Sequence, residues 1–257
     1  MKKVTICYIA QGSYWSARHS FESIGFCIKE KETEFIIKDA PKEYIKVIGD
    51  LEVELLVADL TNDKRTTEYF NGIATEVSVY SKETSENQTL AQIYNSLFRK
   101  VTGDYVCIIP TGVFLQKDWL IEVIYHYLNI GKSGVVGIVS KIDETIILPL
   151  PTTDIEHFIN VFVPKSNLIK GLSFFDKQHL YLIGAFDESV NLQGNEVNQF
   201  ALRCIALGYY NYYVPSTTCV FIDENKRINP NEYATSNDNL HTTLSEMKKT
   251  KNYYLPL

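Results

Sequence analysis

The sequence predicts an α/β protein with a mainly parallel central sheet covered by helices on both faces. Three observations carry this expectation. Short β-branched, apolar runs of about five or six residues recur between positions 4 and 139, and such runs suit strands buried on both faces. Several of them are separated by segments whose apolar residues repeat at the three-and-four spacing of one helix face, and strands alternating with helices favour a parallel sheet. The composition, 45% hydrophobic and 22% charged over 257 residues, is that of a globular chain long enough for one large core, which excludes fibrous and disordered classes.

In chain order, residues 4–9 form the first strand, ending in a turn at Gln11 and Gly12. Further strands are expected at 34–38, 53–58, 76–80, 105–109 and 135–139. Leu90, Ile93, Tyr94, Leu97, Phe98 and Val101 share one helix face, as do Leu120, Val123, Ile124, Tyr127 and Leu128. The alternation breaks between 140 and 175, where prolines stand at 149, 151 and 164. Val197, Phe200, Ala201, Cys204 and Ile205 mark a last long helix, with Gly208 placed for a left-handed C-terminal cap. Two short aromatic strands follow at 212–214 and 219–222. From 223 onward the chain is polar, reading as a loose tail or one peripheral helix over 240–249.

A net charge of -6 argues against a general nucleic-acid partner, because phosphate binding needs a cationic footprint. Cys7, Cys27, Cys107, Cys204 and Cys219 are odd in number, widely spaced and without a C-x-x-C pair, which reads as buried thiols in a reducing compartment. The N-terminal apolar run meets Gln11 and Gly12 too early for a signal-peptide core, and no run approaches the ~20 apolar residues of a membrane span. A cytoplasmic location is therefore expected, with peripheral membrane association left open. Dinucleotide, P-loop and zincin motifs are missing, and the five histidines are scattered in the manner of structural residues.

Two blocks are more specific. Asn87, Ala91 and Asn95, followed by Gly103-Asp104-Tyr105, resemble the N-x-x-x-A-x-x-x-N and G-D-Y-strand block of nucleotide-diphosphosugar glycosyltransferases of the GT-A fold, the family 2 type. Gly184-Ala185-Phe186-Asp187-Glu188, then Asn195-Glu196-Val197-Asn198, Arg203 and Gly208-Tyr209, are similar to that family's G-G-F-D-E, E-D-x-D, R and G-Y acceptor-side segment. Asp118-Trp119-Leu120 fits the motif that opens its post-strand helix. The resemblance implies a three-layer sandwich on a mixed, mainly parallel sheet. It implies a GT-A domain over 1–222, with a nucleotide-sugar half at 1–112 and an acceptor half at 113–222, and a tail at 223–257.

The resemblance also distributes roles. Glu196 stands where the family has its catalytic base, which takes the acceptor proton as the hydroxyl attacks the anomeric carbon. Asp59 matches the acid that reads the nucleotide base, and Asp39, which also closes an apolar run, competes for that role. Ala10 lies in the first-strand loop, and Tyr14 and Trp15 just beyond it offer rings for a base or sugar. Thr111 and Gly112 occupy the position of the family's metal-binding D-x-D, where the sequence reads Ile109-Pro110-Thr111-Gly112. With both carboxylates replaced, no metal is expected there, although the family uses a divalent ion. Asp187 lies on the acceptor side, and Arg203, Lys177, Lys226 and Arg227 are the cations available to the leaving diphosphate. The donor would be a nucleotide-diphosphosugar and the acceptor a glycan or other hydroxyl compound. Two readings remain: a metal-independent inverting transferase, or a catalytically silent relative that serves as a binding or scaffold protein in a glycan pathway.

Overall fold

The computed structural model describes residues 2–24, 42–81, 87–116, 119–140, 172–189 and 196–221. The expected strand at 34–38, Asp39, Cys27, the proline-rich stretch at 149–164 and the tail with Lys226 and Arg227 lie outside the described residues. The elements are β1 (Lys2–Ala10), α1 (Tyr14–Ile24), α2 (Lys42–Ile48), β2 (Leu51–Asp59), α3 (Lys64–Asn71), β3 (Glu76–Val79) and α4 (Leu90–Phe98). They continue with β4 (Tyr105–Pro110), β5 (Val113–Leu115), α5 (Trp119–Asn129), β6 (Ser133–Ser140), β7 (Ser173–Asp176), α6 (Gln178–Leu182), α7 (Glu196–Ala206) and β8 (Tyr210–Phe221).

The strands form one sheet in the order β3-β2-β1-β4-β7-β6-β8-β5. Only β7 and β5 run against the rest, so the sheet is mixed and mainly parallel. Alternate side chains leave β1 on opposite faces: Ile6, Tyr8 and Ala10 meet α1, α3 and α5, whereas Cys7 and Ile9 meet α4, α6 and α7. These two buried clusters, one per face, are the three-layer arrangement expected for a sheet with no solvated side.

The last strand differs from expectation. The two short aromatic pieces belong to one strand, β8, whose pairing with β6 jumps from Val214 opposite Ile138 to Thr218 opposite Val139. Pro215 lies in this irregularity; lacking an amide donor, it cannot sit in a regular ladder, and a sequence scan reads the interruption as two strands. Gly208 does adopt the left-handed conformation expected of it, with φ of 84°. Cys7, Cys107 and Cys204 are buried free thiols.

The amino edge of the sheet is closed by the Gly103-Asp104-Tyr105 segment. A Cβ at Gly103 would lie 2.7 Å from Thr5 Oγ1 and 2.9 Å from the Lys3 carbonyl, so only glycine permits this approach of β4 to β1. Asp104 then accepts a hydrogen bond from the Lys3 amide at 3.0 Å, and its own amide donates to the Lys3 carbonyl at 2.8 Å. Beneath this turn, buried Glu54 accepts from Thr5 Oγ1, from Thr102 Oγ1 at 2.8 Å and from the Thr102 amide at 3.1 Å. Burial alone would push this carboxyl up, but the hydrogen bonds from Thr5 and Thr102, with Lys3 nearby, outweigh it and hold the pKa below its ordinary value.

Gly103→Ala should lower stability by roughly 1–3 kcal/mol, because backbone atoms and not a flexible side chain must move; denaturant titration would show a reduced midpoint at unchanged slope. The depressed pKa of Glu54 means that its contribution is present above the ordinary carboxylate range and is lost as pH falls through the folded-state value. Comparing acid unfolding of the parent and Glu54→Gln should therefore show a shallower acid-dependent loss in the variant.

Candidate active site

The chain runs β1, β2, β3 outward in one direction and then returns to place β4 on the other side of β1. This reversal makes the carboxyl ends of β1 and β4 a topological switch point, the position where open α/β sheets leave a crevice for ligands. Ala10 ends β1 here, pairs in register with Asp59 at the end of β2, and passes into a turn that touches Thr111. Three of the sequence-derived candidates therefore meet at one edge.

Each turn at this edge has a local cause. Gly12, Asn62 and Gly112 have φ values of 80°, 56° and 90°, a region open to glycine and tolerated by asparagine, and they let the chain reverse tightly after β1, β2 and β4. Thr111 Oγ1 donates to the Ile9 carbonyl at 2.7 Å and accepts from the Gln11 amide at 3.0 Å, locking the β4 turn onto the β1 turn. The Gly112 amide donates to Ser20 Oγ at 3.0 Å, which fastens α1 beneath the same turn. In this turn Pro110 and Gly112 carry no donor side chain and the Thr111 hydroxyl is committed to the backbone. The described residues of this turn do not fit a hard divalent cation, which requires several oxygen ligands, carboxylates foremost. Among the described residues generally, no cluster of three or more His, Cys, Asp or Glu has metal-binding geometry.

Asp59 is only 1% exposed. Its Oδ1 accepts from the Thr61 amide at 3.0 Å and from Thr61 Oγ1 at 2.7 Å, and its Oδ2 accepts from Thr67 Oγ1 at 2.7 Å. Glu196 occupies the first turn of α7, a helix that runs back against the direction of the strands it covers, since β8 follows it and is parallel to β6. Its first turn is thus directed to the same carboxyl edge. Glu196 is 1% exposed and lies beside the Tyr94 phenol, whose pKa is raised first by burial and then by the charge of Glu196.

On the same face, residues 183–189 are gripped from two helices. Asn95 of α4 donates from Nδ2 to the Phe186 carbonyl at 2.8 Å and accepts from the Phe186 amide at 3.0 Å, imitating a strand partner. Its Nδ2 also reaches Glu188 Oε1 at 2.7 Å. From α7, Arg203 donates to the carbonyls of Ile183, at 3.0 Å, and Ala185. Gln199 Nε2 donates to Asp187 Oδ2 at 3.2 Å, while Asp187 Oδ1 accepts from the Ser189 amide and hydroxyl.

Two expected cations are placed elsewhere. Arg203 is 0% exposed, its guanidinium enclosed by backbone carbonyls and 5.4 Å from the Phe200 ring centre; burial lowers its pKa to about 10, so it stays charged at neutral pH but faces no open surface. Lys177 donates to the Val101 carbonyl at 2.7 Å, at the amino edge, because the antiparallel strand β7 carries the chain away from the crevice. The role of Asn95 is what sequence reasoning missed. Its place in the N-x-x-x-A-x-x-x-N pattern marked it, but only the fold shows that the pattern serves the G-A-F-D-E segment.

No protein-family model and no curated protein sequence matches the chain. Solved structures do. A mannosyltransferase from Pyrobaculum calidifontis, determined with GDP-Man and Mn2+, aligns with a TM-score of 0.60 and 16% identity, covering 95% of this chain and 64% of its own. S. aureus TarS with UDP-GlcNAc aligns at 0.57 and 13%, covering 91% and 64%, and GalNAc-T7 with UDP, GalNAc and Mn2+ at 0.57 and 12%, covering 87% and 44%. The chain thus spans less than two thirds of the length of each. It has the GT-A fold of nucleotide-sugar glycosyltransferases.

Arg203→Met should be destabilising, by roughly 1–3 kcal/mol for each of the two carbonyls left without a donor. Arg203→Lys should recover only part of this, since a single ammonium cannot fork to both; thermal unfolding of the pair against the parent checks it.

Proposed function

We propose that this chain is the GT-A domain of an inverting glycosyltransferase, moving a sugar from a nucleotide-diphosphosugar to a hydroxyl of a glycan or similar acceptor without a metal held at residues 109–112. The observation that supports the reading is topological: Ala10, Asp59, Thr111 and Gly112 lie at the carboxyl ends of β1, β2 and β4, and α7, which begins at Glu196, runs opposite to β6 and β8, so its first turn is directed to the same side of the sheet. The donor half is 1–112 and the acceptor half 113–222. Buried thiols at Cys7, Cys107 and Cys204 accord with a reducing, cytoplasmic setting. No helix among the described residues is long and apolar enough to cross a membrane.

In this mechanism the donor diphosphate lies over the β1 and β4 turns. Glu196 accepts the acceptor proton as the acceptor oxygen bonds to the anomeric carbon from the face opposite the diphosphate. The bond to the phosphate oxygen breaks and the configuration inverts. Asp187 and the segment around it form the acceptor wall.

The silent-relative reading is favoured by two observations: Glu196 is enclosed, at 1% exposure, and the 109–112 turn holds no acid.

Calorimetry with a panel of nucleotide sugars, with and without manganese, separates the readings. Binding that is unchanged by the metal supports the transferase, binding of none supports the silent relative, and binding that needs manganese overturns the metal-independent mechanism. In an active preparation, Glu196→Gln should lower turnover by about a hundred-fold or more while donor affinity stays near the parent's; unchanged turnover removes Glu196 from the mechanism.

A further inference from the structure

The family resemblance assigns base reading to Asp59, but the geometry around this carboxylate is that of a brace. Both lone-pair directions of Oδ1 are used by Thr61, and Oδ2 is used by Thr67. A base imide needs an accessible acceptor, and a carboxylate at 1% exposure with three protein donors does not present one. The polar groups that do face outward at this lip are a few residues further on. Asp63 caps α3 by accepting from the Arg65 amide at 3.0 Å, and it holds the Arg65 guanidinium in a two-pronged pair, Nε to Oδ1 at 3.0 Å and Nη2 to Oδ2 at 2.6 Å. The guanidinium carbon stands 5.0 Å from the centre of the Tyr14 ring, within the range of a cation–π contact.

Tyr14 is itself fixed: its hydroxyl accepts from Arg18 Nη1 at 3.0 Å, and its ring meets Trp15 at 4.9 Å and Tyr69 at 6.5 Å. Tyr14 begins the helix after β1, and Arg65 lies in the first turn of the helix after β2, so the pair sits directly outboard of the Ala10–Asp59 step. The Arg65 side chain is 60% exposed, leaving N–H groups not used by Asp63 available to a ligand.

We propose that the base of the donor nucleotide is read at its edge by the Arg65 guanidinium, held in place by Asp63 and Tyr14, and that Asp59 is a positioning residue for the turn that carries them. This rests on the donor-binding reading above. A guanidinium only donates, so it selects a base whose contacted position is a carbonyl, O4 of uracil or O6 of guanine, over cytosine or adenine, which carry an amino group at that position. Charge alone does not achieve this; the planar fork does.

Calorimetry with UDP, GDP, CDP and ADP on the full chain tests it. The parent should favour UDP or GDP, and Arg65→Ala should weaken that nucleotide about ten-fold or more and erase the discrimination. Arg65→Lys should fail to restore it. Asp59→Asn should lower the melting temperature while keeping the order of preference among the four. The proposal is overturned if Arg65→Ala leaves affinity and preference intact, or if Asp59→Asn reverses the preference. Arg65 is exposed, so an unchanged far-ultraviolet spectrum and melting temperature in Arg65→Ala would exclude misfolding as the cause of a loss. If the parent binds none of the four nucleotides, the donor-binding reading itself fails, an outcome distinct from a parent that binds and an Arg65 variant that binds equally well.

Discussion

The grip of Asn95, Gln199 and Arg203 on residues 183–189 is the interaction on which the packing of α7 depends. The segment follows a short helix, contains Gly184 at a φ of 87° in a single isolated bridge, and otherwise lies outside the strands, so amide and carbonyl groups beyond that bridge would be orphaned beneath α7. Asn95 supplies a donor and an acceptor to Phe186, and Arg203 supplies donors to two carbonyls. With the backbone satisfied, Phe186 can be driven into the core between Phe98, Tyr94 and Phe200, with ring centres 5.1, 5.5 and 5.8 Å away. The polar clamp and the aromatic cluster are two halves of one device: hydrogen bonding removes the cost of burying the loop, and the rings supply the gain. It fixes α7 against α4, and with it the position of Glu196.

The acids of this chain are spent in a way that bears on its chemistry. Glu54 ties β2 to the start of β4 at the amino edge, Asp59 braces the turn after β2, and Asp187 closes its own turn on Ser189 and Gln199. Each carboxylate is satisfied by hydroxyl and amide donors and not by a cation at close range, the exception being Lys3 Nζ, 4.0 Å from Glu54. Donors of this kind keep a buried carboxylate charged without a second buried ion to desolvate. Such acids organise turns, and among the described residues no three His, Cys, Asp or Glu are grouped to hold a metal.

How much of this was legible in the sequence varies by residue. The strands at 4–9, 53–58, 105–109 and 135–139 were readable as predominantly apolar, β-branched runs, the strand at 76–80 by its alternating valines, and the α4 and α7 faces because their spacing is helical. The unity of β8 was hidden, since Pro215 breaks the local pattern while pairing with β6 on either side of it carries the strand through. Among site residues, the co-location of Ala10, Asp59 and Thr111 followed from their positions at strand ends. The environment of Arg203 did not: a cation on the polar side of a helix reads as exposed, and only the carbonyls of Ile183 and Ala185, brought close by the fold, explain its burial. Asn95, similarly, is legible as a pattern position but not as a partner of Phe186, 91 residues away.

The two edges of the sheet divide labour accordingly. At the amino edge, Gly103 admits the closest backbone approach, Asp104 and Glu54 stitch β1, β2 and β4 together, and Lys177 is drawn in to a backbone carbonyl. At the carboxyl edge the same three strands end in tight turns through Gly12, Asn62 and Gly112, and those after β1 and β2 lead into helices whose first turns carry Tyr14 and Arg65. Rigid stitching at one end lets the other end display side chains on short, well-defined turns. The Thr111 hydroxyl, locked between Ile9 and Gln11, holds the β1 and β4 turns of this display together. With Pro110 and Gly112 lacking donor side chains and Thr111 tied to the backbone, the charge displayed at this edge comes from the helices that follow β1 and β2, from Arg18 and Arg65, and not from the β4 turn.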